Sequence, residues 1–109
     1  MIEKIPELQV VGEVGDGIEL LEFLEKCKTD MVISDLSMPK MGGIEATRKI
    51  KANYPEIKVM ITTIHNDIEY QNRVLSAGAE GYLLKDSLAE ELFPAITTIR
   101  QGGTYAVPL

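Results

Sequence analysis

The sequence predicts an α/β fold, one parallel sheet with helices packed on both faces. Two observations predict it. Short stretches rich in Val, Ile and Met alternate with amphipathic stretches of about 10–15 residues, the rhythm of βαβ units. The short stretches are also apolar nearly throughout, as strands buried on both sides are, and strands joined by helical crossovers pair in parallel. At 109 residues the chain suits one domain around one core.

The elements follow in order. LQVVGEV (8–14) reads as a strand. GDGIELLEFLEKCK (15–28) reads as a helix capped by Asp16, with Glu19 three residues on as in a capping box and Lys26 and Lys28 near the C-terminal dipole. Ile18, Leu20, Leu21, Phe23, Leu24 and Cys27 give it a wide apolar face, with Cys27 there for packing. DMVISD (30–35) is a strand. GIEATRKIKANY (43–54) is a helix closed by Pro55. KVMITT (58–63) is a strand, DIEYQNRVLSAG (67–78) a helix with Gly78 as C-cap, and GYLLK (81–85) a strand. SLAEELFPAITTIRQ (87–101) is the last helix, with Ser87 and Glu90 as a second capping box and Pro94 predicting a kink or a late start. GGTYAVPL (102–109) reads as an extended tail.

Composition narrows the function classes. Hydrophobic residues at 45% and charged residues at 26% fit an ordinary globular domain. A net charge of −6 argues against a nucleic-acid surface within the segment. The single cysteine excludes an intrachain disulfide and a cysteine metal cluster. No apolar run approaches the roughly 20 residues that cross a bilayer, and MIEKIPEL carries no secretory signal, so a cytoplasmic protein is expected.

In an open parallel sheet, ligands sit beyond the carboxyl ends of the strands. Asp16, Asp35, Thr63 and Lys85 stand there. Asp35, Thr63 and Lys85 are chemically coherent: a nucleophilic carboxylate, a hydroxyl donor and an ammonium, the set a phosphoryl-accepting carboxylate needs around its developing charge. Gly12, Gly15 and Gly17 run G-x-x-G-x-G rather than G-x-G-x-x-G, and Asp16 sits where a pyrophosphate would lie, so turn and cap duty is the better reading. His65, the only histidine, is a loop residue near the site. Met38 and Met41 flank the acid as gap fillers or partner contacts.

VISDLSMPKMGG, VMITT and GAEGYLLKD strongly resemble the receiver domain of two-component response regulators. GYLLKD and LQVVGEVGDGIELL are most similar to receivers of LuxR/NarL-type transcription regulators. The resemblance runs from about residue 5 to 105. It implies a flavodoxin-like (CheY-like) sheet and a phosphorylation-driven switch, not an enzyme. Asp35 would accept a phosphoryl group from a sensor histidine kinase, and Thr63 and Lys85 would contact that group. Tyr82 would be the aromatic switch residue, and the Ser37 carbonyl would join Asp35 in holding Mg²⁺. The family pattern begins with a strand ending in an acidic pair, then a helix. MIEKIPEL reads as the end of that helix, so one βα unit of roughly 20 residues is missing from this sequence. Mg²⁺, expected in a complete domain, would then bind weakly here, and the unpaired edge invites a homodimer or strand exchange. The expected organisation is a receiver over 1–102 and a linker from 103–109 toward a C-terminal DNA-binding domain, with no direct nucleic-acid or membrane contact in the segment. A phosphorylation-independent pseudo-receiver scaffold and a flavodoxin-like nucleotide module are the alternatives.

Overall fold

The structure, a computed structural model, describes residues 12–106. Four helices and four strands alternate: α1 Gly17–Lys26, β1 Met31–Asp35, α2 Gly43–Asn53, β2 Lys58–Thr63, α3 Ile68–Ser76, β3 Gly81–Leu84, α4 Leu88–Arg100 and β4 Tyr105–Ala106. The sheet is parallel throughout, in the order β1-β2-β3-β4. The expected strand at 8–14 lies mostly outside the described residues, and residues 12–14 carry no regular structure. The helix end read in MIEKIPEL also lies outside them. Among the described residues β1 is an edge strand, paired with β2 alone.

Strand alternation divides the core into two layers. Val32, Val59, Ile61 and Tyr82 face one way, against Leu20 and Leu24 of α1, Ala46 and Ile50 of α2, and Val74 of α3. Met60 and Leu83 face the other way, against Leu92, Ala95, Ile96 and Ile99 of α4. Both faces are thus covered by helices, as the unbroken apolar strands require.

Local chemistry sets the ends of the elements. Asp16 caps α1, its Oδ1 accepting the Glu19 N–H at 2.8 Å, while Glu19 Oε2 reaches back to the Gly15 N–H at 3.2 Å. Asp67 caps α3 through the Glu69 N–H at 2.8 Å. Gly78 takes φ +106 just beyond α3, a left-handed conformation that favours glycine. The expectations for Ser87 and Cys27 fail, and at Pro94 one of the two alternatives is excluded. Ser87 makes no side-chain cap bond, because a single 3-10 turn at Lys85–Ser87 leads into α4. Pro94 lies within α4, which starts six positions before it, so there is no late start. Cys27 is exposed just past α1 rather than packed. The tail from 102 is not wholly free-standing: Tyr105 and Ala106 pair in register with Gly81 and Tyr82.

A polar clamp closes the end of the sheet away from the strand tips. Lys51 Nζ lies 2.6 Å from Glu80 Oε2 and donates to the carbonyls of Ile57 at 2.9 Å and Pro55 at 3.1 Å. Glu80 Oε1 accepts the Val59 N–H at 2.8 Å. The two side chains are 18% and 15% exposed, so removing one strands the other in a largely dry setting. Glu80→Ala is expected to cost about 2–3 kcal/mol in chemical denaturation, and Glu80→Gln less, because the amide keeps a partner for Val59.

Asp16 generates a pH prediction. The Glu19 N–H, and secondarily the Lys40 ammonium 3.6 Å away, hold its carboxyl below the ordinary value against the opposing effect of desolvation. A lowered carboxylate pKa contributes stability that is present above the unfolded value and lost as pH falls through the folded one. The Asp16 contribution is therefore expected to disappear below about pH 4, and the stability of Asp16→Asn to fall less on acidification than that of the unsubstituted chain.

Candidate functional site

β1, β2 and β3 end side by side. Asp35 is the last residue of β1 and pairs with Thr62; Thr63 ends β2 and pairs with Leu84, one residue before Lys85. The loop behind Asp35 folds back tightly. The Gly43 N–H donates to the Leu36 carbonyl at 2.8 Å, and a Cβ on Gly43 would lie 2.5 Å from the Asp35 carbonyl oxygen, so only glycine fits there. Lys40 takes φ +66 at the crest of this loop, where its ammonium meets Asp16. Met38 fills space, with its sulfur accepting from Ser34 Oγ at 3.4 Å.

The Lys85 ammonium lies 3.0 Å from Asp35 Oδ1. Thr62 Oγ1 lies 3.0 Å from the same oxygen. The hydroxyl on Asp35 is thus that of Thr62, not of Thr63. Thr63 instead accepts the His65 N–H at 3.0 Å, while lining the same small cleft. Strand alternation is the reason: Thr62, in register with Asp35, points to the same side, and Thr63 points to the other. On that other side the Tyr82 hydroxyl donates to the His65 carbonyl at 2.7 Å. Thr63 and Tyr82 therefore grip one peptide residue between them. Tyr82 is fully buried, and burial, then the charges of Asp67 and Tyr70, push its hydroxyl pKa up.

The cleft has a volume of about 150 Å³ and is walled by Asp35, Leu36, Ser37, Thr62, Thr63, Ile64, His65 and Lys85. That suits a phosphoryl group. Pockets for nucleotides or flavins are larger, about 300 Å³ and above.

Comparisons with known proteins show the family to which this fold belongs. The response regulator receiver domain model matches residues 1–97. The chain is 43% identical over 103 residues to the transcriptional regulatory protein DegU of Brevibacillus brevis, covering 94% of this chain and 44% of that protein. It is 38% identical over 108 residues to the response regulator GacA of Pseudomonas aeruginosa, covering 99% and 50%. A LuxR-family two-component response regulator from Aurantimonas superposes with a TM-score of 0.92 at 36% identity, over 98% of this chain and 76% of that one. The chain belongs to the response regulator receiver domain family, and it is a receiver of LuxR/NarL type. It spans about half the length of the curated relatives it matches. Receiver domains are in general signalling modules rather than enzymes. No helix among the described residues is long and apolar enough to cross a membrane.

Receiver domains generally bind Mg²⁺ for phosphorylation. The described residues do not fit that ion by themselves. Asp35 and Ser37 line the cleft, but among the described residues no three His, Cys, Asp or Glu side chains stand close enough to hold a metal. A hard, octahedral cation wants more oxygen ligands than one carboxylate and one carbonyl. Isothermal titration of this chain with Mg²⁺ is expected to give no saturation in the micromolar range; a micromolar dissociation constant would contradict this account of the site.

Proposed function

We propose that Asp35 is the phospho-acceptor of this receiver, loaded from the phosphohistidine of a sensor histidine kinase and cleared by hydrolysis. One observation carries the reading: a lysine ammonium 3.0 Å from a strand-tip carboxylate, in a cleft of phosphoryl size. An Asp35 oxygen attacks phosphorus as the donor's P–N bond breaks and the electron pair leaves with nitrogen. Lys85 then turns from the carboxylate to the phosphoryl oxygens and offsets their charge.

The same group drives a switch through Thr63 and Tyr82. A hydrogen bond to a charged group is worth about 1.5–3 kcal/mol, so two of them, from Thr63 and Lys85, supply roughly 3–6 kcal/mol. Converting a 1:99 equilibrium to 99:1 takes about 5.5 kcal/mol. To reach the phosphoryl group, Thr63 gives up the His65 N–H, and the Tyr82 hydroxyl on the His65 carbonyl moves with it. The receiver runs through β4 at Tyr105–Ala106, past the boundary at 102 expected from the sequence, and the segment after it would lead toward a DNA-binding output domain. The relatives support that output: the match named transcriptional regulatory protein is about twice as long as this chain, and one solved neighbour is the RcsB response regulator in complex with DNA.

A second reading, a scaffold indifferent to phosphorylation, draws on the lack of a metal-sized acidic cluster among the described residues. Acetyl phosphate with Mg²⁺ separates the two. The expected outcome is a phosphoryl-sized mass gain, small in extent, that vanishes in Asp35→Asn and drops severalfold in Lys85→Ala. No gain in the unsubstituted chain would favour the scaffold.

A further inference from the structure

We propose that Thr62 is a positioning residue at the phospho-acceptor that shortens the life of the acyl phosphate. The proposal rests on reading Asp35 as that acceptor. Thr62 is 4% exposed and directly opposite Asp35 in the β1–β2 register. Its hydroxyl has one proton and two acceptors in range, Asp35 Oδ1 at 3.0 Å and the Ser34 carbonyl at 3.5 Å, and the shorter contact to the charged acceptor takes it. Lys85 also sits on Oδ1. Among the described residues both partners of this carboxylate are thus gathered on one oxygen, which leaves Oδ2 as the oxygen presented to phosphorus.

That asymmetry acts on one direction of the chemistry. On loading, a lone pair of Oδ2 forms the Oδ2–P bond while the donor's bond to phosphorus breaks, and Oδ1 becomes a neutral carbonyl oxygen. On hydrolysis, a water oxygen attacks phosphorus and the Oδ2–P bond breaks. Its electron pair returns to the carboxylate, and the water proton leaves with the phosphate or to solvent. The transition state of phosphoryl transfer is loose, so the departing carboxylate has already regained most of its charge. A hydrogen bond to a carboxylate oxygen is stronger than one to a carbonyl. The Thr62 donor therefore stabilises the hydrolysis transition state more than the acyl phosphate, and hydrolysis speeds up. On loading, the carboxylate is charged both before the reaction and at the transition state, so that rate is almost unaffected.

The experiment follows intact mass after acetyl phosphate and Mg²⁺ are added and then removed, in the unsubstituted chain and in Thr62→Val, Thr62→Ser and Asp35→Asn. Val matches the shape of Thr and suits a strand; Thr62→Ala repeats the test if Val does not fold. Thr62→Val is expected to load within about twofold of the unsubstituted rate and to lose the phosphoryl group about threefold to tenfold more slowly, with Thr62→Ser restoring the original lifetime. Equal lifetimes, or loading and loss slowed together, would overturn the role of Thr62 and leave Asp35 as acceptor. No mass gain in the unsubstituted chain, or a gain kept in Asp35→Asn, would overturn the acceptor reading and this proposal with it.

Discussion

The site depends on a lysine just past the end of one strand reaching a carboxylate two strands away. β1 and β3 are not neighbours; β2 runs between them, so the tips that carry Asp35 and Lys85 stand about 9–10 Å apart across the sheet. Lys85 closes that distance by arching over the tip of β2, where Thr62 lies. Thr62, on β2 between β1 and β3, places its hydroxyl on the same carboxylate oxygen that the ammonium reaches. The ion pair itself does little to hold the fold. Its side chains are 43% and 50% exposed, and such pairs are worth about 0–1 kcal/mol. The parallel register fixes the geometry, and the charge pair is free to exchange partners.

Adjacent threonines divide the site between the two faces of the sheet. Thr62 shares the α4 side with Asp35, and Thr63 shares the α3 side with Tyr82 through the backbone N–H and carbonyl of His65. One peptide bond separates the two hydroxyls. In the proposed switch, a rotation of the β2 tip that brings Thr63 toward the cleft would act directly on the backbone that Tyr82 holds. Coupling between the faces needs no long chain of side chains, because the strand is the connection.

Much of this was legible in the sequence, and what was not is specific. The strands from 30 onward and all four helices follow from local patterns, and Asp16 and Asp67 cap their helices as their residue types suggest. Asp35 and Lys85 meet as expected, since the carboxyl ends of parallel strands gather on one edge. The choice between Thr62 and Thr63 was not legible. It depends on the phase of β2 against β1, a long-range property, although Asp35 and Thr62 falling opposite each other would have pointed to it. Ser87 satisfies a local capping pattern that tertiary structure overrides: the chain turns at Lys85–Ser87 in a 3-10 turn that leaves Lys85 directed at Asp35. β4 was visible only as an extended stretch, because its pairing with β3 is non-local.

That last strand bears on how a receiver of this shape passes on its state. Among the described residues β4 contributes two, both only partly buried, and pairs with β3 alone. Its side-chain anchor is the Tyr105 hydroxyl, which donates to Glu91 of α4; this bond, then desolvation, raises the tyrosine pKa and keeps the hydroxyl neutral. Partly buried edge segments of this kind fall toward the low end of local stability. The in-register partner of Ala106 is Tyr82, the residue that also holds the loop after β2. A change that alters the backbone at Tyr82 therefore falls on the ladder that joins β3 to β4.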